Sequence, residues 1–142
     1  MLPLLGLLLI SVGSHLAGCG HHRRPVGLDL RGDVPPEVAA EASAYRAAGL
    51  PLLPGPVYVR WVPSLDPQVS GEGSRCYMEG DKLWVQLDSA DALPHELTHA
   101  WQWRVLGNAD GEHLCAPWAH PLLWPPGSRR PPWVVALIGA GS

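Results

Sequence analysis

Between residues 36 and 49 the apolar positions Val38, Ala42, Tyr45 and Ala48 or Gly49 recur at the spacing of one helical stripe. The segment "PEVAAEASAYRAAG" opens on proline, is rich in alanine, and closes on Gly49 where a C-terminal cap belongs. It predicts a helix that packs against something. From residue 56 the period changes to two: in "PVYVRWV", Val57, Val59 and Trp61 alternate with Tyr58, Arg60 and Val62, and prolines bound the run, so it reads as a strand. Two more β-prone runs, "SRCYM" and "KLWVQL", flank Glu79-Gly80-Asp81, a hairpin turn signal. The helical period returns from Asp88, with Ser89 or Asp91 as candidate cap and Pro94 in the first turn, where a missing N–H is no loss. It runs to Leu106 and stops at Gly107-Asn108. "ADGEHLCAPWAHPLLW" follows as a short ordered stretch with a turn of helix, and after a Pro-rich segment "WVVALIGA" reads as a final strand or helix over the core. The order of helix, three strands, helix and irregular tail makes an α+β domain over residues 37–142.

Composition narrows this picture. A chain of 142 residues suits one domain. Gly and Pro, 16 each, fall just short of the roughly 25–30% at which low-complexity disorder becomes the better reading. Long connections are therefore expected. A net charge of −3 with 10 basic residues points to neither nucleic acid nor an anionic membrane surface as partner. No internal repeat is visible.

The first 19 residues stand apart. "MLPLLGLLLISVGSHLAGC" carries no charged side chain, and its apolar run is shorter than the roughly 20 residues needed to span a bilayer, which suits a signal-peptide core. Its end, Leu16-Ala17-Gly18-Cys19, resembles the lipobox of bacterial lipoproteins, although no Lys or Arg precedes the apolar run. That resemblance implies a mature protein beginning at a lipidated Cys19, anchored in the cell envelope on its periplasmic or surface side. Gly20, in place of Asp, fits the outer membrane. Residues 19–36 then read as a lipidated cysteine and tether, with His21 and His22 as solvated linker side chains.

The candidate chemistry lies in "LPHELTHAWQW", residues 93–103. On a helix, His95 and His99 sit one above the other, about 5–6 Å apart at Cβ, so both can direct a ring nitrogen at one ion. Glu96 is rotated by about 100° from His95 and borders that stripe. The expected chemistry is metal-assisted hydrolysis: zinc lowers the pKa of water towards 7, and Glu96 accepts its proton as the hydroxide attacks a carbonyl. Chance yields HExxH roughly 0.014 times in a chain of this composition, and here the motif falls on a helix directly after a strand. Trp101 and Trp103 read as core or pocket wall.

HELTH resembles the active-site helix of the zincin metallopeptidases, and within them the SprT-like and minimal gluzincin groups. Those enzymes place an edge strand before the helix to pair with extended substrate, and "KLWVQL" occupies that place in the sequence. SprT-like sequences carry a third ligand about fourteen residues beyond the second histidine, in a Gly-His context followed by an aromatic. Gly111-Glu112-His113 and then Trp118 are the counterparts here. The likeness covers about residues 82–120, and departs from the group in the lipobox, in the residue after the third histidine and in the wider gap to the aromatic. His113 is the leading third ligand, with His120 and Glu112 as alternatives. Val105 stands where the metzincin pattern requires histidine, which excludes that class. Asp110 belongs to turn chemistry. His120 or Tyr77 are candidates to donate a hydrogen bond to a developing oxyanion, against a plain surface or packing role.

With Cys19 lipidated, Cys76 and Cys115 remain, an even number, and a disulfide between them would close a loop of about 40 residues. The expectation is a zinc-dependent peptidase held at the envelope by its lipid, acting on a peptide or protein substrate and binding no nucleic acid. A non-catalytic zinc-binding lipoprotein is the alternative, and a hydrolase of non-protein amides such as cell-wall crosslinks is a third reading. "Peptide" comes from the resemblance; the residues themselves support metal-assisted hydrolysis. Oligomeric state and substrate preference leave no mark on the sequence.

Overall fold

The computed structural model describes residues 27–63, 73–107, 113–114 and 116–139. Strand β1 (Asp29–Gly32) leads into helix α1 (Pro36–Ala47), then strands β2 (Pro56–Trp61), β3 (Arg75–Glu79) and β4 (Lys82–Leu87), helix α2 (Leu93–Trp101) and, near the end, helix α3 (Pro132–Gly139). The four strands form one mixed sheet in the order β1-β2-β4-β3, and with the helices they make an α+β fold.

Two corrections to the sequence reading follow. The sheet has four strands rather than three, because β1 lies in the stretch read as tether. It pairs parallel with β2, Leu30 beside Val57 and Gly32 beside Val59. Gly32 is required there: its φ is +86°, and a Cβ would fall 2.6 Å from the Val59 carbonyl oxygen. The second correction concerns "KLWVQL". As β4 it lies inside the sheet, parallel to β2 and antiparallel to β3, so the edge strand beside α2 is β3.

Alternation sorts the sheet residues as the period-two pattern requires. Val57, Val59, Leu83, Val85 and Leu87 are buried beneath Val38 and Tyr45 of α1 and Leu93, Leu97, Ala100 and Trp101 of α2. Both helices therefore cover the same face. Tyr45 closes α1 onto the loop that follows, donating its hydroxyl to the Pro51 carbonyl at 2.6 Å. The β3–β4 hairpin turns through Gly80 in the left-handed region, with Glu79 opposite Lys82.

A single 3-10 turn, Ala90–Ala92, joins β4 to α2. Ser89 does not cap the backbone; its hydroxyl donates to the Asp91 carboxylate. Pro94 occupies the first turn of α2 as expected. The helix then widens into a π-helical turn at Gln102–Leu106 and ends at Gly107, φ 79°. Trp101 joins the core, whereas Trp103 lies on the surface. Among the described residues no helix is long and apolar enough to cross a membrane.

Candidate metal centre

Three histidines converge. His95, His99 and His113 each offer one ligand atom, and these atoms lie within 4.8 Å of one another. The first two come from successive turns of α2, and the third enters from the segment after it. His113 has φ 58°, an uncommon backbone state for a residue with a Cβ and of the kind that clusters at functional sites.

Hydrogen bonds decide which nitrogen each ring presents. His95 Nδ1 lies 2.8 Å from the Leu123 carbonyl oxygen. A carbonyl only accepts, so Nδ1 carries the proton and Nε2 keeps its lone pair. His99 Nδ1 faces Gln102 Oε1 at 3.2 Å and is fixed in the same tautomer. The His99 and His113 Nε2 atoms are 3.1 Å apart. Two nitrogens bound at 2.0–2.1 Å to one tetrahedral ion would be about 3.3 Å apart, so this pair is spaced for a shared cation. A donor set of three imidazoles, two of them with Nδ1 held by an outer acceptor, fits zinc.

The surroundings keep the His95 imidazole neutral, as ligation requires. Trp118, fully buried, packs at tilted or edge-to-face angles within 4.4–4.7 Å of all three rings, centroid to centroid. Trp124 lies 5.1 Å from His95 and 5.2 Å from His113, and donates its Nε1–H to the Trp118 carbonyl at 2.7 Å. Burial first, and then the neighbouring His99, pushes the His95 pKa down to about 4.

Glu96 is 6% exposed. Burial, and after it the charge of Asp88, pushes its carboxyl up to about 8, into the range where a general base exchanges protons at neutral pH. Asp88 itself is occupied. It accepts from the Gly73 N–H at 3.0 Å and the Ser74 hydroxyl at 2.7 Å, and its own N–H donates to the Ser74 oxygen at 3.1 Å. That clasp ties the start of edge strand β3 to the end of β4, just ahead of α2.

Other sequence candidates fall elsewhere. Tyr77 alternates with core-facing Cys76 on β3 and so lies on the opposite face of the sheet, where Arg60 donates to its hydroxyl at 2.6 Å. The structure does not bring it to the histidines. His120 is not among the converging ligands; its Nδ1 accepts from the Leu122 N–H at 3.1 Å and caps the short turn at Pro121–Leu123. Among the described residues Cys76 has no disulfide partner, and burial, then Glu96, pushes its thiol well above the ordinary range. Cys115, Glu112, Asp110, Cys19, His21 and His22 lie outside the described residues.

Sequence reasoning missed the two groups that set the tautomers. Gln102, three residues past His99, carried a readable signal in its helical spacing. The Leu123 carbonyl carried none, because it is backbone. Compared with known protein families, curated proteins and solved structures, the chain matches none.

Proposed function

We propose that this protein is a zinc-dependent hydrolase of zincin type that cleaves peptide bonds and is anchored to the bacterial cell envelope through Cys19. The observation that carries the reading is the convergence of His95, His99 and His113, with Glu96 buried on the helix that carries the first two. Zinc, when bound, supplies a Lewis acid that polarises a carbonyl and brings the pKa of water down towards 7.

The chain's own residues do the remainder. His95 and His99 hold their Nε2 atoms inward because Leu123 and Gln102 fix the opposite nitrogens. Trp118 and Trp124 exclude water from one side of the cluster, which strengthens every electrostatic contact within it. Glu96 takes a proton at its carboxylate from the attacking water and returns it to the departing amine. Among the described residues no strand pairs with the outer side of β3, and an extended peptide can add there as a further strand, the geometry expected of a peptide substrate.

The test is zinc content of the purified protein, wild type beside His113→Ala and Glu96→Gln, together with hydrolysis of a denatured protein substrate. One zinc in the wild type, a marked loss in His113→Ala, and a Glu96→Gln variant that keeps zinc while losing hydrolysis support the reading. Full zinc with no hydrolysis, in wild type and variants alike, would overturn the peptidase reading and leave a non-catalytic zinc-binding protein or a hydrolase of non-protein amides. A properly folded wild type without zinc would end all of them.

A further inference from the structure

The face of the sheet turned away from α1 and α2 carries an ordered lattice of cations and aromatic rings. The pairing register sets it out. Arg31 of β1, Tyr58 of β2, Trp84 of β4 and Tyr77 of β3 stand side by side in one row. Arg60, Gln86 and Arg75 form the next row on one side, and Lys82 and Glu79 lie in the row on the other.

Each ring carries a cation. Lys82 Nζ sits 4.9 Å above the Tyr58 ring, and the Arg60 guanidinium 4.6 Å above Trp84. Arg75 lies 5.0 Å above Tyr77. Tyr58 and Trp84 themselves pack at 5.3 Å. Three acids belong to the face or its border: Asp29 holds Arg31 at 2.9 Å, Glu79 reaches Arg60 at 3.5 Å, and Asp33, just past the end of β1, accepts from the Trp61 N–H at 3.5 Å. Four of the chain's 10 basic residues are thus gathered against three of its 13 acids. The face is positive on a chain whose net charge is −3. Net charge was blind to this distribution.

We infer that this face docks on an anionic phospholipid surface. The occupied ring faces point to phosphate rather than to bases or sugars, which need a bare ring on which to stack. Arg31 and Arg60 already donate to Asp29, Tyr77 and Glu79, and a guanidinium's five N–H donors leave each of them others to offer phosphate oxygens. Tyr and Trp interleaved with Arg and Lys are the side chains that settle at a membrane interface. Four strands spaced about 4.8 Å apart make a broad, gently twisted platform suited to a surface more than to a single small ligand. The chain also enters the sheet at β1, on this platform's own border. From Cys19 to Asp29, ten residues reach at most about 35 Å, so an anchor at Cys19 would hold the platform within reach of the lipid. The face lies opposite the helices that carry the histidines, so docking leaves the metal centre turned outward. The inference does not depend on catalysis at that centre.

The test is co-sedimentation of the full chain with vesicles of phosphatidylcholine alone and of phosphatidylcholine with 30% phosphatidylglycerol. The apolar leader contributes equally to both, so the difference between them reports on the face. The wild type should prefer the anionic vesicles, and raising salt should erase that preference. Arg75→Gln with Lys82→Gln, both at exposed positions, should lower anionic binding by roughly 30-fold, at about fivefold per cation. An unchanged urea unfolding midpoint in that variant would show that the fold is intact. Equal binding to both vesicles, a preference indifferent to salt, or an unaffected double variant would overturn the inference. So would tight binding to a single-stranded oligonucleotide with no preference for anionic vesicles, which would make the face a nucleic-acid platform.

Discussion

Gln102 decides what His99 can do. Its side chain is fully buried and its Oε1 accepts from His99 Nδ1, so the lone pair at Nε2 is directed at the neighbouring histidines. Gln102→Leu keeps the bulk and removes the acceptor, freeing the ring to protonate on either nitrogen. Zinc affinity should fall about 10- to 100-fold, as it does when such supporting partners are lost. Competition with a chromophoric chelator measures this, and an unchanged affinity would show that packing alone orients His99. The pH dependence of the metal-free protein follows from two neighbours. His95, pushed from 6.5 to about 4, is held neutral by the fold, so the stability it contributes is lost as pH falls from 6.5 towards 4. Glu96, pushed from 4.5 to about 8, is held protonated, so its contribution is lost as pH rises from 4.5 towards 8. Above pH 6.5 only the second operates. The urea midpoint of the chelated wild type should decline between pH 6.5 and 8, and that of Glu96→Gln should stay level. Parallel declines would remove Glu96 as the cause.

At the scale of elements, the strand that escaped the sequence is the most demanding about one residue. Gly32→Ala in β1 would force a Cβ to 2.6 Å from the Val59 carbonyl at φ +86°, so the edge strand must shift or detach. A loss of about 1–3 kcal/mol is expected in urea unfolding. A change below a few tenths would mean that β1 is not held in this register. The reason β1 was illegible is physical: its four residues hold one apolar side chain, Leu30, and a pattern needs more than one repeat to show a period. The helices and the hairpin were legible because their apolar stripes match burial: Val38 and Tyr45 in α1, and Leu83, Val85 and Leu87 in β4. The HExxH spacing likewise disclosed two of the converging ligands. His113, fourteen residues past His99, was picked out by the resemblance and does join them, but the left-handed backbone and the rings from a distant segment that seat it are encoded in no local pattern. The order of the sheet was hidden as well, since nothing in "KLWVQL" states that another strand lies on each side of it.

Across the whole molecule, that strand order has a consequence in time. The β3–β4 hairpin closes through a turn of two residues, whereas both parallel pairings require the chain to travel out and return. Short closures form within microseconds, and long ones wait on the entropy of the loop. The hairpin with α2 docked on it is therefore the expected nucleus, and β2 and then β1 add to its open side. Leu83→Ala should slow refolding, while Leu30→Ala should mainly hasten unfolding, as the two arms of a denaturant chevron would show. The reverse partition would place the nucleus at β1 and β2. In this sequence of events His95 and His99 are set beside each other early, on the first piece to fold, and His113 arrives with the tail. The nascent chain thus holds two of the three converging histidines before it has the third, and an ion captured there would draw the last segment home.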